Sequence, residues 1–185
     1  NYRSLHQILS GDYLISERSL LSISTDPSYE KITKLNFALN EIAVNRKNTT
    51  SMIKVETDIN GKHLTSYWSD GLIISTPTGS TGYSLSCGGP IIDPRTNGLV
   101  LTPIAPHNLT ARPLVIPDNS KITLKVSGRE KSYLISLDSR TVTIKNSTTI
   151  SIEKAPFYIK LVHLKEDSFV KTLREKLLWG EDKRN

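Results

Sequence analysis

A single cysteine, Cys87, stands among 185 residues, so no disulfide can close within the chain and the fold must rest on a buried core, as is usual in a reducing compartment. Long apolar runs are missing as well. Nothing approaches the roughly eighteen consecutive apolar residues of a membrane helix, and the opening Asn1-Tyr2-Arg3-Ser4 has no apolar signal region. A cytoplasmic protein without a membrane partner is expected. Aromatic residues are only 6% of the chain and do not interleave with the basic ones, which argues against a basic barrel stacking single-stranded nucleic acid. The net charge of +6 is scattered, so it attracts anions without forming a nucleic-acid arm. The four histidines, His6, His63, His107 and His163, lack metal-ligand spacing, and with only one cysteine beside them the sequence argues against a zinc site. Methionine is confined to Met52, so the chain reads as the later part of a longer polypeptide. With 37% hydrophobic and 23% charged residues it is neither disordered nor fibrous.

What the chain does have is alternation of period two. Ile53, Val55, Thr57 and Ile59 alternate with Lys54, Glu56 and Asp58, setting one dry face against one wet face. Asn60-Gly61 then supplies the two positive-φ residues of a tight hairpin, and His63 to Trp68 returns as the partner strand. The pattern recurs at Ile122/Leu124/Val126, Tyr133/Ile135/Leu137, Val142/Ile144, Ile150/Ile152 and Phe157/Ile159/Leu161, with turns expected around Gly128, Ser139, Asn146 and Pro156. Strand is therefore expected almost everywhere before residue 165, in a mainly β, two-layer antiparallel β-sandwich. Six of the nine prolines lie from Pro90 to Pro117, which predicts connection and edge strand there rather than central sheet. Helix is expected only at about 166–179. There Phe169, Val170, Leu173 and Leu177 share a face, Asp167 or Ser168 caps the start and Gly180 follows the end.

One segment stands apart in chemistry. Ser75-Thr76-Pro77-Thr78-Gly79-Ser80-Thr81-Gly82-Tyr83-Ser84-Leu85-Ser86 follows the apolar run Leu72-Ile73-Ile74, and seven of its twelve residues carry a Ser or Thr hydroxyl. Glycines let a backbone approach a ligand closely while amides and hydroxyls bond it, so a nucleotide could be held without lysine. The segment is neither a Walker loop nor a dinucleotide fingerprint. By composition it suits equally a tight turn with capping hydroxyls. Asn40-Glu41 lies within the alternating stretch Leu35 to Val44; a neighbouring amide and carboxylate can bond both hydroxyls of a ribose, or form an ordinary solvated pair. Asp70-Gly71 reads first as a turn, and its place before the hydroxyl-rich segment lifts it above that.

Taken together, Asn40-Glu41, Asp70-Gly71, the run from Thr76 to Ser86, Gly88-Gly89-Pro90, Thr102-Pro103-Ile104 with Pro106-His107, and Arg112-Pro113-Leu114 resemble the C-terminal, NAD-binding domain of the NAD kinase family over most of residues 13–165. The resemblance implies transfer of the γ-phosphoryl of ATP, with a divalent metal such as magnesium, to the 2′-hydroxyl of the adenosine ribose of NAD. It implies that Asn40 and Glu41 hold ribose and adenosine groups, that Asp70 hydrogen-bonds the dinucleotide, and that Thr78, Thr81, Gly82, Tyr83, Ser84, Leu85 and Ser86 line the site. Residues 1–165 would form the NAD-binding β domain. Residues 166–185 would form a helix and tail whose apolar face packs on an α/β ATP-binding domain outside this chain. Homo-oligomers, dimers or tetramers, are implied too. Three positions depart from the family pattern. Ser51 stands where members often carry His, Trp68 where they carry Arg or Lys, and Arg140 where Gly-Gln commonly follows the aspartate, so the family's contacts are not carried over there. Gly82 replaces a common alanine. The family's catalytic aspartate lies in a Gly-Gly-Asp-Gly motif that this sequence lacks, so no catalytic residue is expected within it. The alternative is a non-catalytic nucleotide-binding β module.

Overall fold

The computed structural model describes residues 2–47, 51–165 and 168–177. In chain order the elements are α1 (Tyr2–Leu9), β1 (Tyr13–Asp26), α2 (Glu30–Thr33), β2 (Phe37–Ala38), β3 (Glu41–Asn45), β4 (Ile53–Ile59), β5 (Lys62–Ser69) and β6 (Gly71–Ser75). A 3-10 turn (Thr78–Thr81) and α3 (Tyr83–Ser86) follow, then β7 (Gly98–Ile104), β8 (Leu114–Pro117), β9 (Ile122–Gly128), β10 (Ser132–Leu137), β11 (Arg140–Lys145), β12 (Thr149–Leu164) and α4 (Phe169–Leu177). The chain is mainly β, as its alternation predicts. No helix among the described residues is long and apolar enough to cross a membrane.

Two compact units divide the chain, Ser19–Tyr158 and Asn1–Arg18 with Ile159–Asn185. In the larger unit two antiparallel six-stranded sheets face each other, ordered β2-β1-β12-β9-β4-β5 and β11-β10-β3-β6-β7-β8. Register explains the core. In the second sheet Ile42 pairs with Ile74 and Leu137, and Val44 with Leu72 and Ile135. In the first, Ile150 meets Leu124 and Ile152 meets Ile122. Every one of these side chains points inward to one buried apolar cluster, the direct outcome of period-two alternation across two layers. The β4–β5 hairpin forms on Asn60 and Gly61, at φ 52° and 76°, as their sequence requires.

The opposite face of the second sheet is also dry. Ala43, Ile73, Val100 and Thr102, which alternate with the core residues, are fully buried beneath the segment that follows β6. That segment is the hydroxyl-rich run, and its place there fixes the site described below.

Three expectations need correction. Residues 2–9 form a helix rather than a strand, because Leu5, Ile8 and Leu9 fall at helical spacing. Pro156 marks no turn; it lies inside the sixteen-residue β12, past the stretch 149–152 that pairs with β9, where a missing N–H breaks no bond of that ladder. Similarly, Pro103 sits in β7, which is internal to its sheet, but beyond Leu101, the last residue paired with β8.

In the smaller unit, Asp12 pairs with Lys165 at 2.6 Å and Glu17 with Lys160 at 3.9 Å. Ser168 caps α4, its Oγ accepting from the Lys171 N–H at 3.1 Å. Asp167 and Gly180, the other expected end signals, lie outside the described residues. No described residue of α4 is buried.

Ile74→Ala removes a fully buried side chain from the middle of the sandwich and should cost about 2–5 kcal/mol. Val115→Ala, at a half-exposed edge position, should stay within about 0.5 kcal/mol. Urea unfolding of the two variants checks this, and equal losses would mean that the sandwich interior does not carry the stability.

Candidate functional site

The site begins where β3 begins. Alternation would run one strand from Leu35 to Val44, but β2 (Phe37–Ala38) belongs to the first sheet and β3 to the second, and the backbone departs from strand pairing at Leu39 and Asn40 as it passes from one to the other. Two sets of contacts hold that departure. On one side, the Asp138 carboxylate accepts from three successive amides: Leu39 at 3.0 Å, Asn40 at 2.8 Å and Glu41 at 3.2 Å. On the other, the Thr76 N–H donates to the Asn40 carbonyl at 2.9 Å while its hydroxyl donates to Leu39 O at 2.7 Å and accepts from the Gly79 N–H at 3.1 Å. Gly79 packs so closely that a Cβ there would lie 2.0 Å from the Asn40 oxygen. Only glycine fits.

Burial divides the hydroxyls of the Ser75–Ser86 run. Thr76, Ser80 and Ser84 are fully buried and bonded inward. Ser80 Oγ donates to Pro77 O at 2.7 Å and accepts from Ile92 N at 3.0 Å, and Ser84 Oγ meets Thr102 Oγ1 at 2.8 Å across the dry face of the sheet. Ser75 is buried with its hydroxyl unpaired. Thr81, Gly82, Tyr83 and Ser86 face outward, and Thr78 and Leu85 are half-buried. The turn reading is met for the inward hydroxyls. Inward hydroxyls build the turn, and outward residues form an accessible surface; the Ser84 hydroxyl belongs to the former group.

Asn40, Glu41 and Asp70 border this surface, all half-buried. Among the described residues no hydrogen bond reaches the side-chain amide of Asn40 or the carboxyl of Glu41, so both remain available. Burial, with the Asp138 charge adding to it, pushes the Glu41 carboxyl up to about 7. Asp70 has a cation beside it instead, its Oδ2 lying 2.9 Å from the Arg46 guanidinium. Tyr83, 41% exposed, has its phenol pushed up by burial and by the nearby Cys87, Asp70 and Glu41. The phenol therefore stays neutral and serves as donor or acceptor.

The positions that depart from the family pattern have surroundings of their own. Arg140 donates to Leu35 O at 2.7 Å and to Phe37 O, with its guanidinium over the Phe37 ring. Trp68 is 52% exposed on β5, its carbonyl accepting from the His107 N–H at 2.8 Å. Ser51 is half-buried just before β4. Among the described residues no three His, Cys, Asp or Glu side chains gather as a metal site. Sequence reasoning passed over Asp138, Thr76 and Gly79 as holders of Asn40. An aspartate in a hairpin turn reads as a turn former, and only the tertiary contact reveals the rest.

The family model of the ATP-NAD kinase C-terminal domain matches residues 39–164. Among curated proteins, the chain is 63% identical over 181 residues to the NAD kinase of Flavobacterium psychrophilum and 49% identical over 183 residues to that of Cytophaga hutchinsonii. In both cases 98% of the chain is aligned, and it spans about 62% of the relative's length. Among solved structures, yeast NADH kinase complexed with NADH has a TM-score of 0.88 at 24% identity, covering 98% of this chain and 55% of that one, a likeness of fold. An NAD kinase from Archaeoglobus fulgidus in complex with ATP has a TM-score of 0.76 at 27% identity, covering 96% and 66%.

Two predictions follow from the geometry. Gly79→Ala should displace the Asn40 backbone and cost at least about 2 kcal/mol, whereas Gly82→Ala, whose Cβ would meet Gly79 O at 3.3 Å and Glu41 Oε2 at 3.5 Å, should be tolerated within about 1 kcal/mol. Comparable melting temperatures for both variants would contradict this. The second prediction concerns pH. Since the folded Glu41 holds its proton up to about 7 while the unfolded one releases it near the ordinary glutamate value of 4.5, the folded state binds more protons between these values. Its contribution to stability is present below that window and is lost as pH rises through it. Glu41→Gln should therefore gain melting temperature relative to wild type at pH 8 compared with pH 5; an unchanged difference between the two pH values would sink the assignment.

Proposed function

The chain belongs to the ATP-NAD kinase family, through the C-terminal domain, and from that premise we propose that the whole protein transfers the γ-phosphoryl of ATP to the 2′-hydroxyl of the adenosine ribose of NAD, giving NADP. The observation that carries this reading is the pair Asn40 and Glu41, half-buried, with side chains that make no hydrogen bond to the described residues, mounted on a backbone clamped from both sides. An amide and a carboxyl so placed suit the vicinal hydroxyls of a ribose. Asp70 then bonds the dinucleotide through the oxygen that Arg46 leaves open, and Tyr83 with Thr78, Thr81, Gly82, Leu85 and Ser86 lines the adenosine side. Ser84 acts from within by fixing α3 on Thr102.

Phosphoryl transfer also requires a phosphate cradle and a group that takes the hydroxyl proton. The sequence lacks the Gly-Gly-Asp-Gly motif, so this chain supplies the acceptor half, and a part of the protein beyond it supplies the carboxylate and the ATP-binding half. Magnesium, implied by the family, finds no matching cluster among the described residues, and no metal site is assigned to the chain. The exposed apolar side chains of α4, with Val170 65% exposed, support the reading that this helix packs on that other part. We place the protein in the cytoplasm as a homo-oligomer, a dimer or tetramer, acting on small molecules and not on nucleic acid.

The test is an NADP-formation assay with ATP and magnesium. The 185-residue chain alone should bind NAD weakly and transfer nothing, while the full-length protein turns over. Robust turnover by the chain alone would place the catalytic carboxylate within it, and binding without turnover in the full-length protein would favour a nucleotide-binding module. In the full-length enzyme, Asp70→Ala should cost about 1.5–3 kcal/mol in kcat/KM for NAD and far less for ATP. Equal losses for the two substrates would contradict the role given to Asp70.

A further inference from the structure

We infer that Asp138, in the turn joining β10 to β11, is a positioning residue for dinucleotide recognition, its carboxylate fixing the backbone that presents Asn40 and Glu41. The inference rests on the reading of those two residues as dinucleotide contacts. Its own basis is geometric. Three successive N–H groups converge on one carboxylate, Asn40 and Glu41 on Oδ1 and Leu39 on Oδ2. The Asp138 N–H donates in return to the Glu41 carbonyl at 2.9 Å, so the turn grips the Glu41 peptide at both of its polar groups. Asp138 reaches these amides from φ 51°, a conformation that aspartate tolerates better than most residues. Two residues further on, Arg140 holds the carbonyls of Leu35 and Phe37. Acceptor and donor from one turn therefore hold residues 35–41, while Thr76 and Gly79 close the other side.

A carboxylate is required because it offers two acceptor oxygens and no donor. In Asp138→Asn the Nδ2 would face the Leu39 N–H, donor against donor, or, flipped, would face the amides of Asn40 and Glu41. The charge matters separately. The titratable groups facing Glu41 are Asp138 from the β10–β11 turn and Tyr83 from α3, while Gly82 presents only backbone. The Asp138 charge opposes ionisation of Glu41, and ribose hydroxyls that donate to Glu41 favour it. Removing that charge should move the pH midpoint of NAD binding toward acid, an effect that loosened packing alone would not produce.

The experiment uses full-length protein as wild type, Asp138→Ala and Asp138→Asn, with NAD titrated calorimetrically from pH 5.5 to 8.5 in steps of about half a unit, a window that brackets the Glu41 transition. Michaelis constants for NAD and ATP are measured alongside. Asp138→Ala should weaken NAD binding by about 10- to 100-fold, with KM for ATP within about twofold of wild type. Asp138→Asn should lose less, about tenfold at most, and show the acid-shifted midpoint. Wild-type affinity in both variants overturns the inference while leaving the site reading intact. Parallel losses for NAD and ATP, with an unmoved midpoint in Asp138→Asn, assign the residue to general stability and overturn it too. Wild-type protein that binds no NAD at any pH overturns the site reading, and the inference falls with it. If Asp138→Ala does not fold, Asp138→Asn decides by the same two readouts.

Discussion

The close approach of Gly79 to the carbonyl of Asn40 is the contact on which the site depends. An internal strand of the second sheet starts at that point, and a backbone that leaves a sheet exposes N–H and C=O groups that its neighbours can no longer pair. Each such group left unpaired in the interior would cost about 1–3 kcal/mol. Here the amides of Leu39, Asn40 and Glu41 turn to Asp138, and the carbonyls of Leu39 and Asn40 turn to Thr76. A side chain at position 79 would push the two halves of this arrangement apart. Asn40 and Glu41 thus owe their placement to groups that need never touch a ligand.

The same logic accounts for the hydroxyl-rich run. A polar segment laid over the dry face of a sheet must satisfy its own polar groups or bring water with it. Ser80 bonds Pro77 and Ile92, and Ser84 bonds Thr102, so these inward hydroxyls find protein partners against a sheet face on which Ala43, Ile73 and Val100 are fully buried. Only after these inward hydroxyls are spent do Thr81, Tyr83 and Ser86 remain on the outside.

How much of this the sequence discloses follows from the range of each interaction. The β4–β5 hairpin is legible because its turn chemistry and its alternation lie within seventeen consecutive residues, 53–69. The sandwich is legible because every strand repeats the same period. The α1 helix escapes notice since eight residues carry few helical repeats, and Pro103 and Pro156 mislead because a proline is tolerated wherever its side of the strand happens to lack a partner, a matter of register. In the site, residue types and order are legible, but which hydroxyls turn inward is not. That depends on where residue 84 lands over residue 102, and no local pattern encodes it. Asp138 is the limiting case: its composition-level role, a turn, is true, and it conceals the contact made 97 to 99 residues away.

Two carboxyl groups border Tyr83, and their surroundings make them unlike. Glu41 meets an anion and partial burial, which favour its neutral form, so near neutral pH it can donate as well as accept. Asp70 meets a guanidinium that engages one oxygen and leaves the other as an acceptor. A ligand rich in hydroxyls can satisfy both, giving a proton to Asp70 in a hydrogen bond and choosing either sense with Glu41. A phosphate cannot, because it has only acceptors to offer near neutral pH and would meet Asp70 as like charge against like. The pairing of these two carboxyl groups therefore favours a ligand surface that carries hydroxyls over one that carries only anionic acceptors.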